Sequence, residues 1–528
     1  MLIKPGSSFS STVKRIISSP VPLKILVVAP EISPYANVGG LSRVVAHLSR
    51  ALMALGADVR LFMPKFGFID EEKYETEIVH EWLEVPTGGS DSEVPFLICN
   101  VKKHIPPTGT GATVYFLENM EYYEKRANVY GYSDDPLRWA LFSRGILEFL
   151  RVSDWVPDVI HVNDWQTGYL PNYLRTVYEK DKKLLPIATV FTIHNLSYQG
   201  MFDHRSVSEM DFDDGRSEIA SFFNERLKKQ NFMKRGIICS DIVSTVSETY
   251  AYEIMTPEFG EGLDKLIVEL RNKIFGVLNG IDYDEYNPAT DHLLVENYDA
   301  NNSEDKVRNK LALQKEFGLK QDKDIPVISV VGRLEPQKGY DLAAEILWPL
   351  LRNFDVQFIA IGGGDLSIVE AFRALKNDFP EKVGIHLMPN FSLPHLVFAG
   401  SDIMLFPARF EPCGLVQMEA MRYGTIPVAR AVGGLADTIE DFNPRSDSGV
   451  GFVFKDFDKW QLFAQIVRAL EVYSHQNMWK GLVRRAMAKD FSWKTSAKSY
   501  LDLYGKAIHF RKQLLISEGQ IAVSEGDQ

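Results

Sequence analysis

The sequence predicts an α/β protein built from two Rossmann-like, doubly wound domains facing a cleft. Three observations predict it. The apolar runs KILVVA (24–29) and VISVVG (327–332) read as strands buried on both faces. Each run leads into a glycine-bearing loop and then into apolar residues at helical spacing. This strand–loop–helix series occurs twice in 528 residues, a length that accommodates two large α/β domains.

Along the first half, the loop PEISPYANVGG follows the first strand, and Val44, Val45, Leu48, Leu52 and Leu55 recur at helical spacing. Gly56 ends that helix and DVRLFMP is the next strand. In the second half RLEPQKG is the loop, YDLAAEILWPLLRNF a helix and VQFIAIGGG the following strand. GIHLM, DIMLFP and TIPVA continue the series, separated by helix-length sequence. Such alternation implies parallel sheets with right-handed crossovers. The expected divisions are a flexible extension (1–22), a first domain (23–290), a polar linker (291–325), a second domain (326–492), a helix over 493–512 running back to the first domain, and a disordered tail (513–528).

Hydrophobic residues make up 45% and charged residues 24%, which excludes wholesale disorder. The net charge is −12 with no long Lys/Arg run, a poor composition for binding nucleic acid. Cys99, Cys239 and Cys413 are far apart and lack metal-ligand spacing, so neither a disulfide framework nor a zinc site is expected. A reduced, cytoplasmic compartment follows. No apolar run reaches the roughly 18 residues that argue for a membrane span. Lys4, Lys14 and Arg15 among serines, with no acid, fit either a short transit peptide or a plain extension.

In open parallel sheets ligands bind outside the carboxyl ends of the strands, and four segments stand there. Asn37-Val38-Gly39-Gly40-Leu41 opens a helix whose free N–H groups suit an anion; a glycine-rich turn without function fits equally. Gly332–Gly339 carries Arg333 and Lys338, two cations suited to a diphosphate. Arg409-Phe410-Glu411-Pro412-Cys413-Gly414-Leu415-Val416-Gln417-Met418-Glu419 sets two glutamates on either side of a helix start. That start suits a phosphate, Glu419 ribose hydroxyls and Glu411 a sugar. In the first half, NDWQTG and TIHNLSYQG place Asp164 and His194 at or past strand ends. His161, inside its strand, reads as a core histidine.

These segments resemble the bacterial glycogen synthases and plant starch synthases, retaining glycosyltransferases of the GT-B fold. NDWQTG, TIHNLSYQG, GVLNGID, GRLEPQKG and RFEPCGLVQMEAMRYGTIPVARAVGGLADT resemble the family's motifs in order, and the likeness spans roughly 23–505. The resemblance implies transfer of glucose from ADP-glucose to the non-reducing end of an α-1,4-glucan, without a metal or other cofactor. It implies that Arg333, Lys338, Glu411, Asp164 and His194 carry the reaction. Gly414, Leu415 and Val416 would meet the phosphates beside Cys413, and Glu419 completes a Glu-x7-Glu pattern. Asn279 and Tyr123 match residues that line the sugar site in the first domain.

The departures lie in the first loop, where Asn37, Gly39, Gly40 and Arg43 would meet the donor. Asn37 occupies a position where the family has lysine, and Arg43 one where it has an acid. Two alternatives stay open on that account: a retaining GT-B glucosyltransferase using another nucleotide-glucose, and a weakened nucleotide-sugar or glucan-binding protein.

Overall fold

The computed structural model describes residues 21–89, 94–107, 111–202, 213–390 and 392–521. The expected extension over 1–22 lies almost wholly outside them. By their contacts the described residues form two compact units. The first holds residues up to Val246, Ala251–Val277 and those from Trp493 on; the second holds Ser247–Tyr250 and Leu278–Ser492.

The first unit is built on β1 (Lys24–Val28), β2 (Asp58–Pro64), β3 (Glu77–Pro86), β4 (Phe96–His104), β5 (Thr113–Glu118), β6 (Val159–Asn163), β7 (Ala188–Ile193), β8 (Ile242–Thr245) and β9 (Ile274–Gly276). Their order is β3-β4-β5-β2-β1-β6-β7-β8-β9. All pairings are parallel except β3/β4 and β4/β5. Ile25, Leu26, Val27 and Val28 are fully buried, as a central strand covered on both faces requires. Each such side chain contributes about 1.5–3 kcal/mol relative to leaving it in water.

The second unit holds β10 (Val327–Val331), β11 (Gln357–Ile361), β12 (Val383–His386), β13 (Ile403–Phe406), β14 (Ile426–Arg430) and β15 (Phe452–Phe454). Its order, β12-β11-β10-β13-β14-β15, is the doubly wound pattern 3-2-1-4-5-6, parallel throughout. The order reverses between β10 and β13. In the first sheet it reverses between β1 and β6. These switch points are where an open α/β sheet leaves a crevice for ligand.

Two stretches differ from expectation. Residues 291–325 are not a free linker: the helix Lys306–Glu316 packs within the second unit, with Leu313 and Asn309 fully buried. The final helix runs over Trp493–Ser517, past residue 512, because Leu515 and Arg511 are buried against the first unit. Arg511 donates to Leu185 O at 2.8 and 2.9 Å. The rest of the expected tail, 522–528, lies outside the described residues. No described helix is long and apolar enough to cross a membrane.

Candidate active site

In the second unit, the loop after β10 and the loop after β13 meet at the switch point. The first passes through Gly332 and a tight turn at Pro336–Lys338 into the helix Tyr340–Asn353. Gly339 sits at φ +70°, and a Cβ there would lie 1.9 Å from Pro407 O. Only glycine lets the two loops come this close. Arg409 holds them in register. Its guanidinium grips Asp341 at 2.6 and 2.8 Å and reaches Pro336 O, while its own N–H donates to Gln337 O at 2.8 Å. Those bonds hold the Asp341 carboxyl below its usual range.

This clamp brings Lys338 onto Glu411. Lys338 Nζ pairs with Glu411 Oε2, with side chains 24% and 11% exposed. Arg333 lies in the same loop, 64% exposed, and among the described residues its guanidinium pairs with Glu335 at 3.0 Å. Behind Glu411, Gly433 and Gly434 press their backbone against Glu411 and Cys413, whose carbonyl oxygens would lie 2.0 and 1.9 Å from added Cβ atoms. Gly434 N–H donates to Glu411 O at 3.0 Å.

Gly414, at φ +70°, turns the chain into Leu415 and the helix Val416–Arg422, whose start has no side-chain cap. The side chain of Gln417 instead donates to Cys413 O and Gly414 O at 3.0 and 2.9 Å, bracing that turn. Glu419 is buried in the helix. Burial pushes the Cys413 thiol up to about 12, which leaves it protonated and unreactive at neutral pH. Its sulfur accepts from the N–H of Asn279. Asn279, expected with the first-domain set, therefore belongs to the second unit, where it is buried with its side-chain Oδ1 unpartnered.

In the first unit, Asp164 follows β6 and His194 follows β7. Asp164 has φ 58° and ψ 177°, a region almost confined to glycine. It is held there by Asp164 N–H donating to Thr192 O at 2.9 Å and by His194 N–H donating to Asp164 Oδ1 at 2.7 Å. Burial raises the Asp164 carboxyl to about 7 despite those donors.

Asn163 Nδ2 donates to Val28 O at 3.1 Å, so its Oδ1 is the acceptor toward His194 Nε2 at 2.9 Å. His194 thus carries its proton on Nε2 and keeps a lone pair on Nδ1. Burial lowers it to about 3, so the ring is neutral at pH 7. His161 is fully buried, bonded to Tyr504 Oη at 2.9 Å and Thr192 Oγ1 at 2.6 Å, a core role.

The first loop departs from expectation. Glu31, three residues past the end of β1, is buried and accepts from the N–H groups of Val38 and Gly39. Two of the N–H groups expected to meet an anionic ligand are already satisfied by this carboxylate. Asn37 and Gly40 are exposed, and Arg43 is half-buried on the helix Gly40–Ala54. Burial raises the Glu31 carboxyl, and Tyr130 hydrogen-bonds it.

Tyr123 is not a lining residue. It is fully buried and its hydroxyl donates to Arg138 O at 2.7 Å, so neither ring nor hydroxyl is open to a sugar. Tyr130, rather than Tyr123, is the tyrosine beside Glu31 and Asp164. Glu31, Tyr130 and Arg409 were not singled out from the sequence. An acid soon after a buried strand was the available signal for Glu31.

Residues 24–269 match the starch synthase catalytic domain family, and residues 313–482 match glycosyl transferases group 1. The chain is 40% identical over 502 residues to a glycogen synthase of Moorella thermoacetica, covering 94% of this chain and 99% of the relative. It is 41% identical over 491 residues to a glycogen synthase of Thermotoga maritima, covering 92% and 99%. The solved catalytic domain of starch synthase IV from Arabidopsis thaliana, bound to ADP and acarbose, is similar at 32% identity. It has a TM-score of 0.80 and covers 93% of this chain and all of that one.

Proposed function

From the premise that the chain belongs to the glycogen synthase family of GT-B glycosyltransferases, related to starch synthase, we propose that it moves glucose from ADP-glucose to the non-reducing end of an α-1,4-glucan, with retention. The observation that carries the reading is the meeting of Lys338 and Glu411 at the β10/β13 switch point, with the exposed Arg333 in the same loop. The bound ADP of the starch synthase relative supports the donor.

In this reading Lys338 and Arg333 offset the charge that develops on the leaving diphosphate. Glu411 faces the donor glucose, where its charge favours an oxocarbenium-like state. Backbone N–H groups of Gly414, Leu415 and Val416 receive phosphate oxygens, Glu419 receives ribose hydroxyls, and the unpartnered amide oxygen of Asn279 accepts a further donor group. Asp164 and the free lone pair of His194 Nδ1 accept sugar hydroxyls.

Double displacement needs a free carboxylate as nucleophile. Glu411 is charge-paired with Lys338, and Asp164 is half-protonated near pH 7. Front-face displacement fits better. The anomeric C–O bond to ADP breaks, the acceptor hydroxyl oxygen bonds to the same carbon, and its proton passes to the leaving phosphate oxygen. The products are ADP and a glucan one residue longer.

ADP release from ADP-glucose, dependent on glycogen, is the test. Glucose transfer from UDP- or GDP-glucose with none from ADP-glucose favours the alternative donor, to which Asn37 and Arg43 point. Binding without transfer to any acceptor leaves a nucleotide-sugar or glucan-binding protein.

A further inference from the structure

A cavity of about 440 Å³ opens in the first unit, on the sheet face where Phe62 and Tyr115 pack against Phe149 of the helix Asp135–Val152. Strand register decides which side chains reach it. Phe62 pairs with Tyr115, Tyr115 with Lys103, and Val101 with His80. Paired residues share a face, as do residues two apart on one strand. Arg60, Tyr115, Lys103 and His80 therefore share one face across β2, β5, β4 and β3, and all four line the cavity. The β3–β4 register slips just past His80, at Trp82, which adopts φ 59°. Arg60 is the third residue of β2, Lys103 the last but one of the antiparallel β4, and Trp155 precedes β6. The cavity thus lies toward the amino ends of the parallel strands, whereas the Glu31, Asp164 and His194 loops leave their carboxyl ends.

Its polar wall is cationic. The Arg60 guanidinium carbon lies 4.3 Å from the Trp155 ring centroid, and Arg60 Nη1 donates to the Tyr115 hydroxyl. These contacts fix the plane of its fork. The carboxylate beside it, Asp58, is 3.7 Å from Arg60 Nε and accepts from Trp155 Nε1 at 2.7 Å. Lys103 pairs with Glu77 at 2.6 Å, but Glu77 is 61% exposed, so that pair is weak and readily exchanged. Among the described residues the lining holds one carboxylate, the exposed Asp154. The helix end at Val152 would oppose an anion, but Lys183 covers it, donating to Arg151 O at 2.9 Å and to Ser153 O. The rest of the wall is apolar: Phe149 is buried, and Val79 and Val152 expose their side chains.

We propose that this cavity binds a small organic oxyanion, with a phosphate or carboxylate head held by Arg60 and Lys103 and an apolar body against Phe149, Val79 and Val152. The site stands apart from glucosyl transfer and does not depend on that reading. A guanidinium of fixed plane matches the paired oxygens of such a head, and the volume lies within the range of small-molecule sites. A cation would meet Arg60 and Lys103 with only Asp154 in its favour, and a neutral ligand would leave both cations unused.

Calorimetric titration with phenyl phosphate, benzoate, inorganic phosphate and benzyl alcohol tests this, with saturating ADP present to fill the donor site. Phenyl phosphate or benzoate should bind native protein with a Kd below about 1 mM, and the tighter of the two identifies the head group. Inorganic phosphate and benzyl alcohol each lack one half of the ligand and should bind more weakly by about tenfold or more. Arg60→Ala and Lys103→Ala should each weaken binding of the tighter probe by about 10–150-fold, the worth of a charged hydrogen bond. Lys103→Ala keeps the test decisive should Arg60→Ala fail to fold, because its pair with Glu77 is exposed. No binding of either organic anion to native protein, or undiminished binding to Lys103→Ala, overturns the site. Equal affinity for inorganic phosphate or for benzyl alcohol also overturns it, since one half of the wall then takes no part.

Discussion

Asp164 combines a strained backbone with a carboxyl raised to about 7 by burial. Turnover that needs its carboxylate should fall as pH drops through 7, and Asp164→Asn should flatten that acid limb at a lower rate. A pH profile of kcat in both proteins checks this. Stability runs the other way. The folded state keeps a proton on Asp164 between about pH 4 and 7, where the unfolded chain has lost it. The Asp164 contribution is fully present below its unfolded value and is lost as pH rises through 7. The Tm difference between Asp164→Asn and native protein should therefore move in favour of the variant from pH 4 to pH 8. A constant difference would overturn the buried-carboxyl account.

Cys413 and Glu411 separate just as sharply. Cys413→Ser should retain much of the activity, since the thiol is protonated and serves as a small buried residue beside Asn279. Glu411→Ala should abolish most of it. Equal loss in the two variants would give the thiol a chemical part. Glu411 and Cys413 stood out in the sequence because glycine and proline bracket an acid after an apolar strand. Glu31 and Tyr130 did not, because their roles arise only when the chain folds back. Glu31 turns onto N–H groups seven and eight residues ahead of it, and Tyr130 reaches it from far along the chain. Tyr123 was expected only from the family resemblance, and only packing shows that its hydroxyl is spent on Arg138 O.

At the scale of elements, the loop after β10 is the part that should matter most to turnover. Arg333→Ala or Lys338→Ala should lower kcat by about 10²–10³-fold, the scale of one preorganised charge contact in a transition state. Near-normal turnover with the fold intact would remove the loop from the diphosphate.

The loop after β1 poses a separate question. Glu31 takes two of its N–H groups, so charge there must come from a side chain. If Arg43 supplies it, Arg43→Ala should raise the donor KM by about 10–150-fold, the worth of a charged hydrogen bond. Asn37→Lys should then restore it. Donor titrations of both single variants and the double variant give the coupling, and a coupling of zero would make Arg43 a bystander. The parallel strands of both sheets were legible because strands buried on both faces leave unbroken apolar runs. The β3–β4 ribbon was not, since one of its faces is solvent and its alternation breaks at Trp82.

For the whole molecule, the helix Trp493–Ser517 completes the first unit from the far end of the chain. Tyr504 is fully buried and its hydroxyl meets His161 Nδ1. Tyr504→Phe leaves that nitrogen without its partner and should cost about 1–3 kcal/mol, read as a lowered Tm with unchanged donor KM. An unaltered Tm would show that the bond contributes nothing. The same contact joins residues 343 apart in sequence, and this sets an order on synthesis. The second unit is nearly contiguous and has all its strands as soon as Ser492 has emerged. The first unit, although made first, lacks its closing helix until Ser517 has emerged, roughly 12–48 s after Val277 at elongation rates of about 5–20 residues per second. Through that interval its central strands wait without their last cover. A chain cut short at Ser492 thus carries a complete second unit attached to a first one without its closing helix.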